Sequence, residues 1–295
     1  MTLRIESYMT RKIAWIWSSA FSLFMLAMFS TMLIDGIGSL GKLMQEGYWD
    51  FREASFSALG MFKGTVFVGS VALVIALPFG FGSAICLSEV LSGKARAFFK
   101  ITIELMAGIP SVVYGLLGVS ILSPIMGPIN HFFGGFGGDS HLTAGILLSI
   151  MVMPTLITFA DDALRCVPHS LREEALGLGL NHLQTVLYAV IPAAKPGLMS
   201  ATMLALGRAL GETIAVFLVI GRSDQPFHWH DLTLSSLFSP GQTLTSKLGG
   251  PEIAIAYGDP QHWSALIGLG ICLWIFVGLI AYTSEILTHT MEKKL

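Results

Sequence analysis

Charge is scarce in this chain. Asp, Glu, Lys and Arg make up 12% of its 295 residues, and hydrophobic residues make up 53%. Soluble domains carry about 25% charged residues, so the deficit argues against a water-soluble fold and for a polytopic membrane protein. Cysteine is nearly missing as well. Cys86, Cys166 and Cys272 are isolated and odd in number, which speaks against a disulfide framework or a cysteine-built metal site. No run of Lys or Arg occurs, and the net charge of −2 gives no reason to expect nucleic acid as a partner. No nucleophile–base arrangement such as Gly-x-Ser-x-Gly is present, so no catalytic residue is expected. The segment from Gly36 to Leu43 approaches a phosphate-binding loop, but Leu43 stands where a Ser or Thr must hold Mg²⁺. His228-Trp229-His230-Asp231 carries two histidines without a third placed ligand, and no metal site is expected there.

Long apolar runs are abundant. A spanning helix needs about 20 apolar residues, and six segments qualify: about 13–34, 64–87, 101–123, 142–160, 197–220 and 265–287. The first follows Arg11 and Lys12, is too long for a signal-peptide core and lacks a small-residue cleavage site. It reads as a retained span. Pro78 and Pro110 lie inside the second and third runs, as neighbouring groups permit in membranes. Six spans put both termini on one side. Eleven Lys and Arg on that side, against five on the other, predict that both termini are cytoplasmic. The expected organisation is a span and first external loop over 1–63 and a membrane core over 64–290. The glycine-rich loop 124–141 reads as flexible.

The fifth run carries two charges, Arg208 and Glu212. A charge at mid-bilayer costs about 2.5–3.5 kcal/mol on insertion scales, so such residues face a protein interior or a water path. If the run is one helix, positions four apart share a face and form a polar stripe. Gly207 and Gly211 then form a small-residue stripe beside it, suited to close helix packing. Arginine grips oxyanions with two parallel N–H bonds. Two readings stand: the pair lines an anion path, or it is an internal salt bridge. Glu104 reads as an interfacial carboxylate, while Ser111 and Tyr114, after Pro110, read as core groups or path lining.

The link 161–196 is long and punctuated. Pro168 precedes Ser170-Leu171-Arg172-Glu173, which has capping-box spacing. Gly179 breaks the short helix that follows. Asn181 with Gln184 caps a second one, expected to end at Ile191-Pro192. Such an elbow suits docking of a soluble partner.

This elbow, at 168–192, resembles the EAA motif of ABC-importer permeases, in which Glu-Ala-Ala is followed by a glycine and then by Ile-x-Leu-Pro. Glu173, Ala175, Gly179 and Pro192 match; Glu174, Ala189 and Ile191 depart. The run Glu104 to Gly115 is similar to the third-span signature of phosphate-importer permeases. Leu206 to Val216 and Pro240 to Thr245 are similar to their PstC-type subunits. The resemblance covers most of 58–290. It implies an all-α, MetI-like type I importer fold in a bacterial inner membrane. It also implies a phosphate path lined by Arg208, Glu212 and Thr213, and an ATPase-coupling segment containing Glu173, Glu174, Ala175, Gly179 and Pro192. The implied partners are a sister permease, an ABC ATPase dimer and a periplasmic phosphate-binding protein. No cofactor is implied for this chain, since ATP and Mg²⁺ belong to the ATPase. Permeases for sulfate or molybdate, and an ATPase-independent transporter, are the competing classes.

Overall fold

The computed structural model of the protein describes residues 2–50, 52–224 and 234–292. Its main helices, in chain order, are α1 (Thr2–Gly36), α2 (Leu59–Ile85), α3 (Gly93–Ala107), α4 (Ser111–Phe132) and α5 (His141–Arg165). They continue as α6 (His169–Gly177), α7 (His182–Gly211), α8 (Ile214–Val219), α9 (Leu244–Leu248), α10 (Glu252–Ala256) and α11 (Pro260–Glu292). Six of these contain stretches long and apolar enough to span a bilayer: α1, α2, α4, α5, α7 and α11. A small hairpin between α1 and α2 pairs Trp49 with Phe56 and Asp50 with Ser55.

The apolar runs pack by size. On α2 the residues Val68, Ala72, Ala76, Gly80 and Ala84 recur every fourth position and are buried, so one narrow, small-residue face is turned inward. That face receives α5, and the two backbones come close: a methyl group added to Gly80 would lie 2.5 Å from the Leu156 side chain. Helix α5 is the hub, packing against α2, α3, α7 and α8. Two-thirds of its span (67%) is buried, against 6% for α1. Helix α1 packs chiefly on α11, leaving the rest of its apolar surface exposed in this chain. A second apolar cluster joins Leu43, Trp49 and Phe56 to Leu244, Ala265 and Leu269, at the end of the bundle away from α6.

Two spans differ from their sequence-based bounds. The third runs over Ser111–Phe132 and not 101–123. Pro110 is extended at ψ 137°, and a proline biases the residue before it away from helix. The break there leaves α3 a separate helix, with no buried residue of its own. The fifth span begins at His182 and ends at Gly211, so the run 197–220 is not one helix. Its start passes through a wide π-type turn, Val186–Val190, directly before Pro192. That turn accommodates a residue with no N–H to give and a ring that crowds the preceding turn, so Pro192 does not end the helix. The glycine-rich loop is also more ordered than its composition suggests. Fully buried Asn130 donates from Nδ2 to the carbonyl oxygens of Gly137 at 3.2 Å and Gly138 at 3.1 Å. His228 to Asp231 lie outside the described residues.

Candidate functional site

The chain breaks at Glu212 and Thr213, between α7 and α8. Glu212 is extended, with φ −72° and ψ 127°. Arg208 therefore occupies the last turn of α7, where the helix dipole favours a cation. Glu212 precedes α8 and accepts the Ala215 backbone N–H at 3.3 Å, where the dipole favours an anion. The single polar stripe expected from four-residue spacing does not form, and no ion pair joins the two charges.

Arg208 is held by neutral groups. Its Nη1 donates to Thr155 Oγ1 at 2.5 Å and its Nη2 to the Ala107 carbonyl oxygen at 3.3 Å. Thr155 sits near the middle of α5, so the half-buried guanidinium lies about midway along the bundle. Among the described residues no carboxylate forms an ion pair with it. Buried Tyr114 donates its hydroxyl to the Met106 carbonyl at 2.9 Å, closing the α3–α4 break beside Arg208. Thr213 turns its hydroxyl to the Gly211 carbonyl at 3.3 Å, and its methyl packs on Gly249. Gly207 and Gly211 do not form an internal packing seam: a Cβ added to either meets nothing within 4 Å. Their side of α7 is open in this chain. Glu104 is exposed on α3, and Ser111 opens α4.

Toward the α9–α10 end, Arg222 lies over the Phe217 ring at 5.2 Å. Lys247 is buried and joins Asp224 and Glu252 at 2.7 Å each, 5.2 Å from the Trp49 ring. Burial raises the Asp224 pKa, opposed by its bond and charge contact with Lys247. A lone lysine between loops gives no sign in the sequence of its partners.

At the opposite end lies the elbow. Helix α6 starts at His169 behind Pro168, with no side-chain cap. Ser170 thus falls inside the first turn and the Ser170–Glu173 box does not form, because Pro168 already supplies the extended residue that starts the helix. Glu173 instead faces His169 at 3.1 Å. Gly179 has φ +87°, a conformation that favours glycine. The Asn181–Gln184 box forms in both directions, at 2.9 Å each. Ala175 is buried, while Glu173, Glu174, Leu176, Leu178 and Pro192 are exposed. Arg172 points inward to Glu89 Oε2 at 2.5 Å and the Leu164 carbonyl at 2.9 Å. Beside it, fully buried Asp161 accepts from Arg96 at 2.7 Å and Lys100 at 3.0 Å, and Lys100 also reaches Asp162 at 2.8 Å. Although burial acts the other way, the two carboxylates raise the pKa of Lys100. No group of His, Cys, Asp and Glu able to hold a metal occurs among the described residues.

With this geometry in place, residues 76–281 match the model of the family described as binding-protein-dependent transport system inner membrane component. The chain belongs to this family. Among similar proteins, the phosphate transport system permease protein PstC of Mesorhizobium japonicum is 35% identical over 79% of this chain and 73% of its own length. The PstC of Haemophilus influenzae is 32% identical over 86% and 82%. Among solved structures, an inward-facing MetNI methionine ABC transporter aligns with TM-score 0.54 and 18% identity, over 77% of this chain and 91% of that one. A bacterial ABC transporter for alginate aligns at 0.54 and 14%, over 92% and 95%. These likenesses show the fold: a MetI-like importer permease, all-α and multi-pass.

Proposed function

We propose that this chain is one membrane half of an ATP-driven phosphate importer. The observation that carries the reading is the Arg208 guanidinium: a half-buried charge beside the middle of α5 whose hydrogen-bond partners are neutral. A guanidinium has five N–H donors, and Thr155 and Ala107 engage two of its nitrogens. The remaining donors suit a pair of phosphate oxygens. The phosphate transport names of relatives 32–35% identical to this chain support the choice of anion. Glu212 repels a bare anion, but it accepts the proton that a phosphate oxygen carries at neutral pH and sulfate lacks. Thr213, at the same break, adds a hydroxyl to the path. The negative charge of Glu212 at the same break favours release of the anion, since conduction needs binding weak enough to leave.

The other parts follow from the family pattern. A sister permease meets the open Gly207–Gly211 side of α7. An ABC ATPase dimer, which carries ATP and Mg²⁺, docks on the elbow through Glu173, Glu174, Ala175, Gly179 and Pro192 and the sister's equivalent. A periplasmic phosphate-binding protein delivers its cargo to the loops 124–141 and 221–264. Both termini lie in the cytoplasm of a bacterium, and the chain, lying in the inner membrane, hydrolyses nothing itself. Transport assays of Arg208→Gln and Glu212→Gln, with expression checked, test the path. Loss of phosphate uptake is expected in Arg208→Gln and altered phosphate-over-sulfate preference in Glu212→Gln; normal uptake in both overturns the assignment.

A further inference from the structure

Polar contacts at the elbow and the helix α3 together connect Arg172 to Arg208. Arg172 is the α6 residue that turns inward. One guanidinium binds two elements: Glu89, in the π-type turn Cys86–Val90 that ends α2, and the Leu164 carbonyl in the last turn of α5. Glu89 is 5% exposed as a side chain. It also accepts from Ser88 at 3.0 Å, and its carbonyl faces His182 Nε2, at the start of α7, at 3.2 Å. The same two helix ends hold α3. Arg96 Nε donates to the Leu87 carbonyl at 3.1 Å, and Arg96 and Lys100 grip Asp161 on α5. Helix α3 has extended Ser92 before it, Gly93 at φ +55° as its first residue, and the Gly108–Pro110 break after it. Its far end presents the Ala107 carbonyl to Arg208.

We infer that Arg172 is a positioning residue that transmits movement of the elbow into the bundle, and that α3 carries this movement to Arg208. The inference rests on the proposed docking of an ATPase at the elbow. A push on α6 reaches the bundle through Arg172, shifts the joined ends of α2 and α5, and tilts α3 about its two flexible ends. The Ala107–Arg208 bond, long at 3.3 Å, then loosens or tightens. Arg208 thereby exchanges a carbonyl partner for an anion in step with the elbow.

The test uses the complete importer in proteoliposomes: this chain, its sister permease, the ATPase and the binding protein. Phosphate taken up per ATP hydrolysed is measured for the parent, Arg172→Ala, Glu89→Ala, and the exchanged pair Arg172→Glu with Glu89→Arg. Co-purification of the ATPase is scored separately. The expected result is retained assembly and hydrolysis in Arg172→Ala and Glu89→Ala, with uptake per ATP lowered about tenfold and partly restored in the exchanged pair, which re-forms the ion pair but not the bond to the Leu164 carbonyl. Unchanged uptake per ATP in an assembled Arg172→Ala complex overturns the inference. So does an exchanged pair that assembles but stays as uncoupled as the single variants, and this arm decides the matter if Arg172→Ala does not fold. An ATPase that never binds the parent chain overturns the underlying functional reading instead.

Discussion

Arg208 and Glu212 each occupy the helix end that suits their charge, which offsets part of the cost of placing charges at this break. A cation at a helix C-terminus and an anion before the next helix start are stabilised by about 0.3–1 kcal/mol each at exposed sites, and more where partly buried. Two other carboxylates separate burial from consequence. Asp161 is fully buried between Arg96 and Lys100, and losing the charge on one partner of such a group costs about 3–5 kcal/mol. Asp161→Asn is therefore expected to lower the melting point of the purified protein strongly. Asp224→Asn leaves Lys247 paired with Glu252 at 2.7 Å, and is expected to cost no more than about 1 kcal/mol. The pH response of Asp224 has a definite sign. Its folded-state pKa is raised above 3.8 by burial, so the folded state binds this proton more readily than the unfolded chain. That contribution to stability is complete below 3.8 and is lost as pH rises through the raised value. Acidification toward pH 4 should therefore stabilise the parent relative to Asp224→Asn, whose side chain does not titrate; a parent that loses stability relative to the variant on acidification would contradict the assignment.

Helix ends were legible in the sequence where one residue decides them, and not where neighbours do. Gly179 takes a positive φ and Asn181–Gln184 closes its box, because glycine permissiveness and an Asx cap are local properties. Gly179→Ala puts a Cβ into the left-handed region and should destabilise the elbow by about 1–2 kcal/mol, read as weaker ATPase binding. Pro192 looked like a helix end, but the wide turn Val186–Val190 absorbs it, and nothing in Val-Leu-Tyr-Ala-Val announces such a turn. Gly211-Glu212-Thr213 looked like helix interior because the run is apolar on both sides. The break is flanked by the Arg208 contacts with Thr155 and Ala107 and by Thr213 packed on Gly249, contacts that only the fold supplies. The six spans themselves were plain, since length and apolarity alone mark them. The stripe Val68-Ala72-Ala76-Gly80-Ala84 was readable in principle from its four-residue spacing. Gly80→Val is expected to force α2 off Leu156 on α5 and to reduce the amount of folded protein recovered from membranes.

At the scale of the whole molecule, α5 is a buried axis with different machinery at its two ends and an arginine near its middle. The elbow and the knots at Glu89 and Asp161 gather at one end; Asp224, Lys247 and Glu252 gather at the other. The broken α7–α8 segment runs between them. This arrangement fits the permease family to which the chain belongs, with the substrate reading resting on Arg208. The most direct measurement is ATP-dependent uptake of labelled phosphate by the assembled importer, with the parent chain and Arg208→Gln compared at equal expression and with sulfate as competitor. The account predicts phosphate uptake that excess sulfate leaves unchanged, and uptake reduced to background in Arg208→Gln. Parental uptake in Arg208→Gln, or equal competition by sulfate, would contradict it.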